Sequence, residues 1–226
     1  MKKVIFGLIA TVVFGLNGNA QTLGNEHNRF LGVLLTEFQA KCKVDPTFMS
    51  DKEKIAVVLY SKSVAFFQDS KFVTNKSNLE EGVAELILAA NGVDDFNLSQ
   101  YNYTDKQKSF MSKILTVFDK KLGYDAAMAE INAINLEAKT ACNSEEYKVI
   151  ASVVDIAINS SDYAYHSIVK WKNLSGNVVV ENLGDFDWGA VVKADVKGFI
   201  KGLIFGKPLE KAAIDSCMEI IKQIFF

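Results

Sequence analysis

Apolar residues recur at intervals of three and four along most of this chain, and they almost nowhere alternate. That spacing marks helices with one core-facing stripe. The first stripe is His27, Phe30, Leu31, Leu34, Leu35 and Phe38, following a polar stretch at 24–28. Lys43-Val44-Asp45-Pro46 ends it, because the residue before proline disfavours the helical region. Ser50-Asp51-Lys52-Glu53 has the form of a capping box, predicting a helix to about Asp69 with Ile55, Leu59, Phe66 and Phe67 inside. A second box, Ser77-Asn78-Leu79-Glu80, predicts a shorter helix that stops at Asn91-Gly92. A third, Thr104-Asp105-Lys106-Gln107, precedes Phe110, Met111, Ile114, Val117, Phe118 and Leu122, with Gly123 expected to end the helix in the left-handed region.

Asp125 is a candidate cap for the next helix, which carries Met128, Ile131, Ile134 and Ala138. Asn143 or Ser144 opens the longest one, to about Trp171, with Tyr147, Ile150, Val154, Ala157, Ala164 and Ile168 on its apolar face. The only strand-like run, at 178–180, has no evident partner and is expected to be extended loop. The pattern therefore predicts an all-α protein of about eight helices in a bundle-like single domain, since alternating α and β segments are absent.

The C-terminal part, 187–226, carries the least ordinary pattern. Asp187 is placed to cap a helix with a small residue at every fourth position: Ala190, Ala194, Gly198, Gly202 and Gly206. Residues four apart share a helix face, so this stripe lets another helix approach closely. Lys207-Pro208 then starts a final helix, with proline at its first position. The expected outcome is an αα-hairpin in which Ala212, Ala213 and Ser216 meet the stripe. A competing reading places 188–206 on a membrane, because Lys193, Lys197 and Lys201 form a basic row beside an apolar end. Those lysines and Asp195 put too many charges in the segment for an ordinary spanning helix.

Residues 1–20 read as a cleaved signal: Lys2 and Lys3, then 13 apolar-rich residues at 4–16, then Gly18 and Ala20 before Gln21. The remaining 21–226 would be one exported helical domain, periplasmic or secreted. Without Lys2 and Lys3 the formal charge falls from −2 to −4, which excludes general nucleic-acid binding. Two prolines and 49% hydrophobic residues exclude a disordered chain.

Cys42, Cys142 and Cys217 lack metal-ligand spacing. In an exported protein a Cys42–Cys142 bridge with Cys217 buried is the favoured pairing, and three thiols are the alternative. On the longest helix Asp155, Asn159, Asp162 and His166 define one polar face, able to serve an acid–base or metal site but also simply to be solvated. His27, on an apolar stripe, reads as a hydrogen-bonded core residue. Nucleophile-elbow, zinc-protease, phosphate-loop and dinucleotide motifs are absent, and no cofactor is implied.

Gly24, His27 and Asn28 near one end, and Trp188, Gly189, Val191, Ala194, Asp195 and Gly198 near the other, resemble small exported bacterial proteins of unknown function with a Gly-x-x-His-Asn start and a glycine-rich tail. The resemblance implies no activity. The expected function is therefore non-enzymatic binding or a structural role, with an unidentified protein or small molecule as partner. A membrane-active protein working through its C-terminal helix is the alternative, and a hydrolytic enzyme the third.

Overall fold

A computed structural model of the chain describes residues 20–72, 76, 78–90, 96–175 and 186–225. Among these, the secondary structure is helical throughout: α1 (Ala20–Val44), α2 (Lys52–Asp69), α3 (Leu79–Ala90), α4 (Asp105–Asp119), α5 (Tyr124–Ala141), α6 (Ser144–Lys172), α7 (Trp188–Phe205) and α8 (Pro208–Phe225). Short 3-10 turns at Phe48–Ser50, Leu98–Gln100 and Asn173–Ser175 join some of them. The protein is all-α, as its apolar spacing requires.

The long helix α6 is the spine, and α1, α7, α5 and α4 all pack against it. The α7–α8 hairpin closes the bundle, with α8 reaching α1 and α3. The core is continuous through these contacts and includes every stripe residue of α1 from His27 to Phe38. Phe30 meets Phe66 and Phe67 at ring-centroid distances of 5.0 and 4.8 Å, which joins α1 to α2. Phe38 abuts the fully buried Trp171 edge-on at 5.9 Å, which joins α1 to the end of α6. Full burial of one such side chain contributes roughly 1.5–3 kcal/mol.

Helix starts follow the sequence signals with three differences. Thr104 and Gln107 form the reciprocal capping box, and Asn143 forms another with Glu146. At α2, however, the cap is Asp51 and not Ser50; its carboxylate accepts from the Glu53 and Lys54 amides while Ser50 ends the preceding 3-10 turn. Gly123 is not left-handed: with φ −64° it is the N-cap of α5, displacing Asp125 into the first turn. The left-handed residue is Lys121, at φ 51°. Residues 77, 91–92 and 178–180 lie outside the described residues.

Helix α1 starts earlier than its stripe suggested and absorbs the polar 24–28 stretch. The cause is tertiary. A Cβ at Gly24 would sit 2.4 Å from the Asn159 amide nitrogen, so only glycine admits this contact with α6. The Gly24 N–H donates to Asp155 at 2.9 Å.

Two glycines of the stripe, Gly198 and Gly202, lie against α8 and the turn before it. A Cβ on Gly198 would lie 2.9 Å from the Lys211 carbonyl oxygen and 3.0 Å from Ala212 Cα. Gly206 takes the left-handed C-cap, φ 71°, and its N–H donates to Gly202 O. Asp187 caps α7 by accepting from the Ala190 N–H at 3.0 Å, and Pro208 begins α8. The lysine row is held by the protein itself. Lys193 pairs with Asp119, and Lys197 and Lys201 each lie 5.7 Å from the centre of the Phe96 ring.

The Cys42–Cys142 bridge is not made: all three cysteines are free thiols. Cys42 lies in the last turn of α1 near Asp45, whereas Cys142 caps α5 near Glu146 and Lys106, at separate places on the molecule. Cys217 is fully buried, and burial pushes its thiol well above the ordinary range. An alkylating reagent should therefore label Cys42 and Cys142 in the folded protein and reach Cys217 only on unfolding. Mass mapping of a Cys42–Cys142 link in unreduced protein would overturn this arrangement.

Candidate functional site

The four polar residues of α6 do not form one site. The helix turns Asp155 and Asn159 toward the start of α1 and leaves Asp162 and His166 at the surface. Asp155 accepts from Gly24 N–H and from Asn159 Nδ2, yet burial, the larger effect, lifts its carboxyl to about 6.

Beside it lies the most buried ion pair among the described residues, His27 with Asp195 of α7. His27 Nε2 is 2.9 Å from Asp195 Oδ1, with side chains 0% and 1% exposed. The other ring nitrogen, Nδ1, faces Asn28 Oδ1 at 3.1 Å. Asn28 Nδ2 donates to the Asn159 carbonyl at 2.9 Å, which fixes its amide so that oxygen points at the histidine. Both ring nitrogens thus face acceptors, the environment of an imidazolium. Burial alone would depress the pKa of His27, but the Asp195 charge and the hydrogen bonds from Asp195 and Asn28 reverse this and raise it. Asp195 Oδ2 is buried with no hydrogen-bond partner among the described residues. With both groups sealed from solvent, the pair can fasten helices but cannot meet a substrate. Gly24, His27 and Asn28 from one end of the chain are thereby joined through this knot to Asp195 from the other.

The outer half of the α6 face belongs to an aromatic surface. Asp162 lies 3.5 Å from His166 Nε2 and accepts from the Tyr124 hydroxyl at 3.3 Å. Tyr124 stacks on Tyr165 with ring centres 4.8 Å apart, and His166 stands edge-on to Tyr165 at 5.2 Å. Trp188 lies 6.3 Å from Tyr124, 6.4 Å from Tyr165 and 6.2 Å from Phe118, linking the platform to a cleft.

That cleft encloses about 370 Å³ between the end of α4 and the start of α7. Val117, Phe118 and Leu122 form one wall, Ala127 the base, and Phe186 and Trp188 the other wall. Lys121 and Asp187 are its only charged lining residues. Gly189 permits the two walls to approach, since a Cβ there would come within 3.3 Å of the Phe118 carbonyl oxygen. A second depression, between α4 and α5, is crossed by the Lys113–Glu137 and Lys120–Glu130 ion pairs and offers a polar, self-paired surface.

The Asp195 partnership and the aromatic cleft were not foreseen from the sequence. In the sequence Asp195 is simply one more charge on a lysine-bearing helix. The aromatic group carried a faint signal in Tyr165-His166 beside Asp162, but Tyr124 and Trp188 join it only through folding. Among the described residues no group of three or more His, Cys, Asp or Glu side chains is placed to hold a metal ion. Comparison with known protein families, with curated proteins and with solved structures finds no match.

Proposed function

We propose that this is an exported helical binding protein and that the cleft beside Trp188 takes a small molecule with an apolar or ring-shaped body. The observation that carries this reading is the cleft itself: about 370 Å³ with aromatic and aliphatic side chains on its walls and polar groups at its edges, continuous with a half-buried aromatic platform. Binding sites are commonly apolar hollows of about 300–1,000 Å³ with a few polar groups to set orientation. Aromatic rings supply contact area with little conformational freedom to lose. Export rests on the signal pattern of residues 1–20.

The membrane-active alternative has less support. The small-residue stripe faces α8, the lysine row is engaged with Asp119 and Phe96, and among the described residues no helix is long and apolar enough to cross a membrane. For hydrolysis, the polar face of α6 is divided between core and surface.

Titration with 4-phenylbutyramide, a neutral ring on a short arm, tests the binding reading. Saturable amide-resonance shifts are expected at Leu122, Phe186 and Trp188, and Trp188→Ala should weaken binding by about tenfold or more, the equivalent of about 1.4 kcal/mol. Shifts that never saturate, or that cluster elsewhere, would sink it.

A further inference from the structure

We propose that the ligand of this cleft is a compact monocarboxylate, a ring or short apolar body whose carboxylate pairs with the Lys121 ammonium. This rests on the binding reading above and adds the chemical class. Among the described residues Lys121 and Asp187 are the charges on the cleft wall, and they are not equivalent. Asp187 is committed to the fold. Its carboxylate accepts from the Ala190 N–H at 3.0 Å, while its own N–H and carbonyl are held by the Gln223 amide at 3.0 and 3.3 Å. The helix start to which it is bound also offsets its negative charge.

Lys121 is uncommitted. The neighbouring lysines each have a carboxylate: Lys113 has Glu137, Lys120 has Glu130 and Lys193 has Asp119. Lys121 makes no ion pair or hydrogen bond among the described residues. It is also the one described non-glycine residue with positive φ, 51°, a conformation strained for any side chain with a Cβ. Glycine would relieve that strain, so stability does not explain a lysine here. The lysine stands where α4 breaks toward α5, at the mouth of an apolar hollow, as an anion-binding group would.

The size and charge of the hollow narrow the class. About 370 Å³ is near the lower end for ligand sites, which suits a ring with a short arm and not a long lipid. One cation facing a wall that also carries Asp187 matches a single negative charge better than a phosphate dianion.

The test is a matched set on the full chain: 4-phenylbutyrate, 4-phenylbutyramide and phenyl phosphate, each titrated by calorimetry and amide shifts. The acid should bind at least about tenfold more tightly than the amide. Lys121→Gln should erase that preference, so that acid and amide bind alike. Lys121→Gly should do the same and melt no lower than the parent, which separates lost recognition from lost folding. Equal binding of acid and amide would overturn this proposal and leave the binding reading intact. Phenyl phosphate binding most tightly would overturn the monoanion assignment. Absence of binding by all three would overturn the proposal and the binding reading together.

Discussion

Replacing either His27 or Asp195 with alanine is expected to destabilise the protein by about 3–5 kcal/mol, because each change leaves the other charge buried without its counter-ion. That is a large part of the roughly 5–15 kcal/mol by which domains are stable. The double replacement His27→Ala with Asp195→Ala should cost much less than the two single changes together, since no lone charge remains. A double-mutant cycle by denaturant unfolding checks this. Additive single effects would mean that the pair is not a unit.

The same pair sets a pH dependence whose sign can be fixed. His27 has its pKa raised above the ordinary 6.5, so its contribution is complete below that value and is lost as pH rises through the folded pKa. Two buried carboxyls act in the same direction. Burial lifts Glu210 from 4.5 to about 7 and Asp155 from 3.8 to about 6, so each disfavours the fold once ionised. Half-buried acids oppose this only at lower pH. Glu26, Glu37 and Glu146 are held below 4.5 by hydrogen bonds and cations, and their contribution disappears as they protonate. Stability should therefore peak near pH 5 and be lower at pH 8 by on the order of 2–3 kcal/mol, roughly 5–10 °C in melting temperature for a chain of this size. Glu210→Gln should flatten the part of the decline below about pH 7. Equal melting at pH 5 and pH 8 would contradict the buried charges.

The second large effect is expected at Gly202. A Cβ there would lie 2.4 Å from Pro208 Cα and 2.5 Å from the Lys207 carbonyl oxygen. These are backbone atoms of the turn into α8 and cannot rotate away. Gly202→Ala should thus be destabilising even though alanine is the better helix former by about 0.8–1 kcal/mol. Overpacking typically costs about 1–3 kcal/mol, and Gly202→Leu should reach or exceed the upper end by forcing the hairpin apart. The periodic spacing alone suggested that alanine would be tolerated; the close turn reverses that expectation. Thermal melts of both variants decide it, and an alanine variant as stable as the parent would show that the turn can shift.

What was legible in the sequence follows from the range of the forces involved. Local signals worked: Thr104 with Gln107, Asn143, Asp187 and Pro208 all mark helix starts whose partners lie within a few residues. The same kind of signal misled at Ser50, where the adjacent Asp51 took the cap, and at Gly123, which caps α5 while the left-handed position falls to Lys121. Contacts between distant segments were illegible. Asp195 sits in a row with lysines and gives no sign that α1 will bring it a histidine. Asp155 and Asp162 belong to one helical face, but the neighbours that bury one and expose the other lie on α1 and α5. The cleft needed Phe118, Ala127 and Trp188 to meet from three helices.

The His27–Asp195 contact closes a span of 168 residues. A ribosome adding about 5–20 residues per second separates the appearance of the two side chains by roughly ten to thirty seconds. The phenylalanine face of α1 meets Phe66, Phe67 and Trp171, all made within that interval, but His27 has no counter-ion until it ends. A polypeptide stopped short of α7 would carry a histidine buried against apolar neighbours with no carboxylate to hold its proton, a weak point open to chaperones and proteases.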